Sequence, residues 1–377
     1  MEIIFFTYGD ANRVSTWSNV PFCFSRALMD KGCTVHLVNI RCSMKYRKTF
    51  YYLIERPLSL FFQNHEYDAF RSNIFYYYTY LKIHRAIKQH PNADWCFFLC
   101  FDFYNKFSQI PSLVFGDWTF QIQIEERLQR KPYFFEKWYI KKQNKVITHA
   151  DKVVCLFPET AERIRVSFPG TEAHYLGQNV INTVYKGNLC ENEIINRKAA
   201  SNKVLFIGRR HYLKGARLLK SAISRVRSLI PDVSVHYIGL TADQLCVSES
   251  EAEFVHCYGV LNKASREECS LYYDLILNSK LFCNPSSVWA GYSSTIESMY
   301  YYTPIVSPCI KDFKDEFGSK LSFGVYDAEL TEESLSSAII SVLTAPDYKT
   351  LAFNAHNAVK DYTWSNYVDK ILKLIIQ

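Results

Sequence analysis

The chain has 377 residues, of which 48% are hydrophobic and 21% charged, with a formal net charge of +7. This length suits two domains better than one core, and the apolar content excludes a disordered chain. The modest positive excess fits a partner bearing phosphates, either a nucleotide or an anionic membrane surface; no dense basic stripe or known module supports a nucleic-acid partner.

Residues 1–6 lack the basic start and long apolar run of a secretory signal, and no stretch approaches the roughly 20 apolar residues that span a bilayer. A cytoplasmic location is therefore expected. The twelve cysteines are irregularly spaced. Several, such as Cys96, Cys100, Cys155 and Cys283, sit in apolar strand-like runs, as reduced core residues do. No paired ligand spacing points to a metal.

In chain order, residues 3–7 read as a strand, 17–31 as a helix stopped by Gly32, and 35–40 as a second strand. A helix over 68–88 follows, then strands over 95–100 and Ser112–Gly116, a helix over 134–150, a strand over 152–157 and a helix from Glu159. The polar stretch 196–202 reads as a linker. Beyond it come a strand over 204–207, a helix over 215–228, and strands near 233–238, 253–257, Leu281–Cys283 and 305–307, with helices between. In the helix over 215–228, Leu218, Leu219, Ala222, Ile223 and Val226 share one face. Strands alternating with amphipathic helices predict an α/β chain of two parallel-sheet halves with a cleft between them. The aromatics at 75–78 read as core packing. His84, His90, His149 and His256 lie apart without ligand spacing and read as structural.

Two stretches carry candidate chemistry. After the strand over 204–207, Gly208, Arg209, Arg210, His211 and Lys214 form a loop that leads into a helix at Gly215. Helix-start amides attract anions, and Arg209 with Lys214 can grip a diphosphate; a basic surface loop would have the same composition. After the strand Leu281–Cys283, a loop of small residues runs through Trp289 and Gly291 to Ser293, Ser294 and Thr295, whose amides and hydroxyls at a helix start form a second anion cradle. Glu297, one turn in, can accept hydrogen bonds from a ribose diol or serve as a helix-capping carboxylate. His211 lies in the first loop, beside the donor or merely exposed.

Together these stretches resemble glycosyltransferase family 4, retaining enzymes of the GT-B fold. The family places an Arg and a Lys five apart after the first strand of its second domain, as Arg209 and Lys214 are. Glu297 matches the second glutamate of its E-x7-E motif, and Thr303-Pro304-Ile305-Val306 matches the motif's ending. Tyr258-Gly259-Val260 corresponds to the segment whose backbone contacts the base. Ser15 to Pro21 and Gly116 to Phe120 resemble first-domain segments beside the cleft, and Asp361 to Trp364 resembles the lead-in to the last helix. The departures are equally specific. Trp289 replaces the first glutamate, Tyr302 stands where the family has Gly, and the loop Tyr8-Gly9-Asp10-Ala11-Asn12 lacks a double glycine. The catalytic-region histidine has no counterpart, with Asp117 or Trp118 nearest.

The resemblance implies two Rossmann-like domains facing a central cleft. An acceptor-side domain would span 1–190 and a nucleotide-sugar domain 191–355, with a helix over 356–377 crossing back to the first domain. It implies transfer of a sugar from a nucleotide-diphosphate donor to a glycan or lipid-linked acceptor, as in lipopolysaccharide or capsule assembly, with retention of configuration. Arg209 and Lys214 would neutralise the leaving diphosphate, and Asp117 would be the catalytic candidate on the acceptor and sugar side. Gly208, Gly259, Val260, Trp289, Gly291, Ser293, Ser294, Thr295 and Glu297 would bind the donor. Gly9, Asp10, Asn12, Trp17, Asp117 and Trp118 would line the acceptor side. No Asp-x-Asp motif is present, so no metal and no other cofactor is expected. A dinucleotide-dependent oxidoreductase is excluded for want of a Gly-x-Gly-x-x-Gly turn, whereas a catalytically degenerate sugar-nucleotide module stays open. Residues 45–52 and 127–145 interleave cations with aromatics, which suits docking on the inner face of an anionic membrane or a solvated basic helix.

Overall fold

In the computed structural model, residues 1–187, 190–286 and 293–376 are described, the side chain of residue 312 apart. The chain forms two compact units: Met1–Asn179 together with the final helix, and Val180–Thr363. The sequence boundary at 190 falls inside the second unit.

The first unit is built on a six-stranded sheet: β1 (Glu2–Thr7), β2 (Thr34–Asn39), β3 (Trp95–Phe98), β4 (Ser112–Gly116), β5 (Lys152–Cys155) and β6 (Ala173–Tyr175), in the order β2-β1-β3-β4-β5-β6. All its pairings are parallel. Central strands buried on both faces need continuous apolar runs, which Ile3 to Phe6 and Leu113 to Phe115 supply. Phe6 stacks on Phe98 at 4.6 Å within this core. The final helix, Trp364–Ile376, buries Trp364, Tyr367, Val368, Ile371 and Ile375 along one face. Trp364 stacks on Phe24 at 4.9 Å and Asp369 pairs with Lys31 at 2.6 Å, which fixes the helix to the first unit.

The second unit repeats the plan with β7 (Lys203–Ile207), β8 (Ser234–Ile238), β9 (Val255–Cys257), β10 (Leu281–Cys283), β11 (Ile305–Pro308) and β12 (Gly324–Asp327). The order is β12-β11-β10-β7-β8-β9, again parallel. Its direction reverses between β7 and β10, the position where open α/β sheets place their ligands. Among the described residues no helix is long and apolar enough to cross a membrane.

The structure corrects three local expectations. Residues 196–202 are not a linker: Glu191–Ala199 is a helix, and Lys198 is fully buried. Its Nζ donates to Ile276 O, to Ser279 O at 3.0 Å and to Thr303 Oγ1 at 2.9 Å, tying the helix down. Burial holds this lysine well below the usual ammonium range, with Arg197 adding to the effect. The helix expected from Trp17 begins at Val20 instead, because Trp17, Ser18 and Asn19 adopt φ of 37°, 50° and 69°. Such left-handed backbone costs non-glycine residues roughly 1–2 kcal/mol each, so the turn is strained. The aromatics at 75–78 divide: Phe75 is buried, whereas Tyr77 and Tyr78 face solvent.

Candidate functional site

At the reversal point of the second sheet the two motif stretches meet, as the pairing of β7 with β10 requires. Asn284, just past β10, donates to Ile207 O at 3.4 Å and accepts from Ser286 Oγ at 2.6 Å. The helix Leu213–Val226 starts against this loop. A Cβ on Gly215 would lie 2.6 Å from Ser286 Oγ and 3.0 Å from Pro285 O, so only glycine allows that approach. Gly239, after β8, has φ +99°, and a Cβ there would come within 2.4 Å of Gly208 O. Backbone bonds from Gly208 N to Ile238 O (3.0 Å) and from Gly239 N to Gly259 O (2.6 Å) close the ends of β7, β8 and β9 into one ledge. Val260 is exposed beside it.

Arg209 and Lys214 flank this helix start and are exposed, and neither forms an ion pair among the described residues. Exposed cations without partners, beside a helix N-terminus at a sheet's reversal point, are poised for an anion. The His211 ring packs at a tilt on Tyr212, with centroids 4.0 Å apart. Ser293 and Ser294 open the helix Ser293–Tyr300. Thr295 in its first turn is fully buried, and its Oγ1 has no hydrogen-bond partner among the described residues. Trp289 and Gly291 lie outside the described residues.

Glu297 is buried (3% exposed) and already engaged. Lys263 Nζ lies 3.1 Å from both carboxylate oxygens, Tyr272 Oη donates at 2.8 Å and Tyr273 Oη at 3.2 Å. The ammonium sits 3.9 Å from the centre of the Tyr272 ring. Tyr273 Oη accepts from Val184 N–H at 2.8 Å. Burial, then the Glu297 charge, holds both tyrosines well above the usual phenol range. With its lone pairs filled, Glu297 could reach a ribose only if one of these donors yielded its place. Lys263, Tyr272 and Tyr273 were missed by sequence reasoning, since nothing in their spacing links them to Glu297.

The first unit has a cavity of about 230 Å³ at the C-terminal ends of β1, β3 and β4. Of the residues expected there, Trp17, Asp117 and Trp118 line it. Gly9, Asp10 and Asn12 do not. A Cβ on Gly9 would meet Thr16 Cγ2 at 2.8 Å. Asp10 holds Arg13 and the Asn12 amide, and Asn12 Oδ1 accepts from Arg26 at 3.2 Å.

The cavity also contains polar residues the motifs did not reveal: Tyr8, Arg71, Asp102, Tyr139 and Gln143. Asp102 accepts from Tyr8 Oη and Gln143 Nε2, each at 2.9 Å. The guanidinium of Arg71 lies 4.2 Å from the Phe120 ring centre and pairs with Asp68 at 3.0 Å, yet its buried Nε has no hydrogen-bond partner among the described residues. Burial raises the Asp117 carboxyl above the usual range, opposed by the Trp118 N–H that it accepts at 2.7 Å. Burial also pushes the Cys100 thiol far up, so it offers no thiolate nucleophile. Asp102 lies two residues past the strand expected over 95–100, the one positional hint available. Arg71, far off in sequence, gave none. Among the described residues, neither site has a His, Cys, Asp and Glu set with converging ligand atoms.

No protein-family model matches the sequence and no curated protein sequence matches it significantly. Solved structures do match in shape. Sucrose-phosphate synthase from Thermosynechococcus elongatus aligns at TM-score 0.66 and 15% identity, over 99% of this chain and 97% of its own. WaaG, a glycosyltransferase involved in lipopolysaccharide biosynthesis, aligns at TM-score 0.63 and 13% identity, over 98% and 99%. The fold is GT-B. Anabaena HepE, solved with UDP and glucose, aligns at TM-score 0.58 and 12% identity over 99% of each chain. At such identities the likeness establishes this two-sheet GT-B architecture and nothing finer.

Proposed function

We propose that this chain is a nucleotide-sugar-dependent glycosyltransferase that acts with retention on a glycan or lipid-linked glycan in surface-polysaccharide assembly, without a catalytic metal. The observation that carries the reading is the reversal point of the second sheet, where Arg209 and Lys214 stand exposed and without ion pairs beside the start of a helix. A transferase must neutralise the charge that grows on the departing diphosphate. Two cations and helix-start amides supply that by electrostatics, usually the largest catalytic contribution. The acceptor hydroxyl would attack from the face that the diphosphate leaves, and a phosphate oxygen would take its proton. The cavity of the first unit, with Asp117 and Asp102 as acceptors and Arg71 as a donor, would hold the acceptor sugar.

UDP, GDP, ADP and CMP are the probes that test it. One nucleoside diphosphate should raise the melting temperature of the wild type and shift Arg209→Ala or Lys214→Ala much less. Arg209→Ala should slow donor turnover by a factor that corresponds to about 3–4 kcal/mol of barrier. Near-normal turnover in that variant removes Arg209 from the chemistry. The satisfied carboxylate of Glu297 favours one second reading, a degenerate module that binds nucleotide-sugar without transferring it. Nucleotide binding without nucleotide release from any donor sugar would decide for it.

The same reading includes docking of the first unit on anionic lipid. Met44–Phe50, Tyr51–Glu55 and Arg56–Phe61 run on as successive helical turns that leave Tyr52, Leu53, Leu60 and Phe61 between 61% and 80% exposed. Ile74, Tyr77, Tyr78 and Leu81, at i, i+3, i+4 and i+7 of the helix Asn73–Gln89, are exposed as well. Lys45, Arg47, Lys48 and Arg56 provide the cations of the first of these segments. The segment 127–145 contributes less charge: Arg127 pairs with Glu66 at 2.5 Å, Arg130 with Glu136 at 2.7 Å, and Lys142 lies over Trp138 at 3.6 Å.

A further inference from the structure

We propose that Glu2, His36 and His90 form a binding site for one divalent transition-metal ion of the zinc class, apart from both sites described above. Glu2 Oε1 lies 2.9 Å from His36 Nε2 and 3.7 Å from His90 Nδ1, and no two of the three ligand atoms are more than 4.8 Å apart. Tetrahedral coordination at 2.0–2.2 Å puts neighbouring ligands about 3.4 Å from one another, so the two shorter separations bracket the ideal. Two imidazoles and a carboxylate are a donor set that suits Zn²⁺ or Co²⁺ and leaves a fourth position for water.

The placement is built by three ordered elements. Glu2 lies opposite Thr34 in the β1–β2 ladder, so His36, two residues on, projects from the same face of the sheet. His90 caps the helix Asn73–Gln89. Its ring stacks on His36 with centroids 3.6 Å apart and planes 20° from parallel; an ion lies in the plane of each imidazole that ligates it, so one ring has to turn out of this stack for both to bind. Asp94, four residues on, accepts the Glu2 N–H at 2.7 Å and anchors the strand's first residue. The three side chains are partly buried, with 28% to 34% of each exposed, so a ring has room to turn and the ligand atoms are open to a hydrated ion.

The site lies at the opening of β1, roughly 16 Å along the strand from Thr7 at the cavity. An ion there would not meet the substrate. It would tie edge strand β2 to β1 and to the end of a helix, in the part of the sheet where one side of the ladder has no neighbour. The sequence gives no hint of it, because the ligands are 34 and 54 residues apart. That is why His90 reads there as structural.

The test is titration of the metal-free chain with Zn²⁺ by calorimetry and with Co²⁺ by visible absorption, on wild type, His36→Ala, His90→Ala and Glu2→Gln. Exposed Cys190, Cys246 and Cys309 are competing ligands, which the cobalt spectrum distinguishes by the strong thiolate charge-transfer band. Expected are one saturable equivalent without that band, affinity at least tenfold weaker in each variant, and a zinc-dependent rise in melting temperature that His36→Ala and His90→Ala lack. Absence of saturable binding to the wild type, unchanged affinity in the variants, or a thiolate band would overturn the proposal. Glu2→Gln keeps the shape and the hydrogen bonding, so it serves as the ligand test should a histidine variant fold poorly. The readouts are metal binding and thermal stability, so the result stands apart from sugar transfer.

Discussion

Removing the ammonium of Lys263 should destabilise the second unit severely. Its partner Glu297 is 3% exposed, and the lysine side chain is itself 13% exposed, so the pair is essentially desolvated. Lys263→Met keeps the aliphatic stem over the Tyr272 ring and deletes both charged contacts to the carboxylate, which is left with only the hydroxyls of Tyr272 and Tyr273. Stripping one partner from a buried ion pair costs about 3–5 kcal/mol, because the other charge stays where water cannot reach it. That is a large share of a domain's usual stability of about 5–15 kcal/mol. Lys263→Met/Glu297→Gln should recover much of the loss, since a neutral amide can accept from one tyrosine and donate to the other; the expected coupling is about 2–3 kcal/mol. The assay is urea unfolding followed by circular dichroism, with the transitions of the two units resolved separately where they do not coincide. A loss below about 1 kcal/mol in Lys263→Met, or simple additivity in the double variant, would refute the claim that this pair is buried and mutually dependent.

Three further outcomes follow from other residues. Asp117, held above the ordinary carboxyl range by burial, binds more protons folded than unfolded across the window between its unfolded and folded pKa. Its contribution to stability therefore falls as pH rises through that window. Asp117→Asn should raise the neutral-pH melting temperature while it lowers transfer to the acceptor; a stabilised and fully active variant would take Asp117 out of the chemistry. Tyr302 closes the helix Ser293–Tyr300 at φ +60°, with its ring stacked on His356 at 4.2 Å. Both Tyr302→Gly and Tyr302→Ala should be destabilising in thermal melts, but Gly should retain about 1 kcal/mol more than Ala, the reverse of the usual order. Leu60→Glu/Phe61→Glu, on largely exposed side chains, should abolish salt-sensitive co-sedimentation with anionic vesicles and change stability by no more than about 0.5 kcal/mol; unchanged sedimentation would end the docking proposal.

How much of this was legible beforehand depended on whether the signal was local. The apolar runs that became β1, β3, β4, β7 and β10 are continuous because parallel strands bury both faces, and that alone implied two α/β halves. Short strands such as Ala173–Tyr175 and Gly324–Asp327 carry too few residues for a pattern and went unread. The stretch 196–202 was misread for a different reason: its polar composition conceals a lysine whose three acceptors come from distant parts of the chain. The motif at 209–214 was readable because a strand end, two cations and a helix start are consecutive. The cavity of the first unit was read only in part, since Tyr8, Arg71, Asp102 and Tyr139 converge from four segments.

Tyr302 shows how a departure from a familiar pattern becomes informative once the backbone is known. Where the resemblance leads one to expect glycine, the chain has a bulky residue at positive φ. Its N–H bonds to Met299 O at 2.9 Å and the Thr303 N–H to Ser298 O at 3.1 Å. These are the paired bonds that end a helix on a left-handed residue, usually glycine. The backbone requirement has therefore been kept while the residue that meets it cheaply has been given up. The ring must return the difference through burial and its stack on His356. That exchange fixes the helix bearing Glu297 by side-chain packing from its far end. Substitution of His356 should consequently weaken the Glu297 network without touching it.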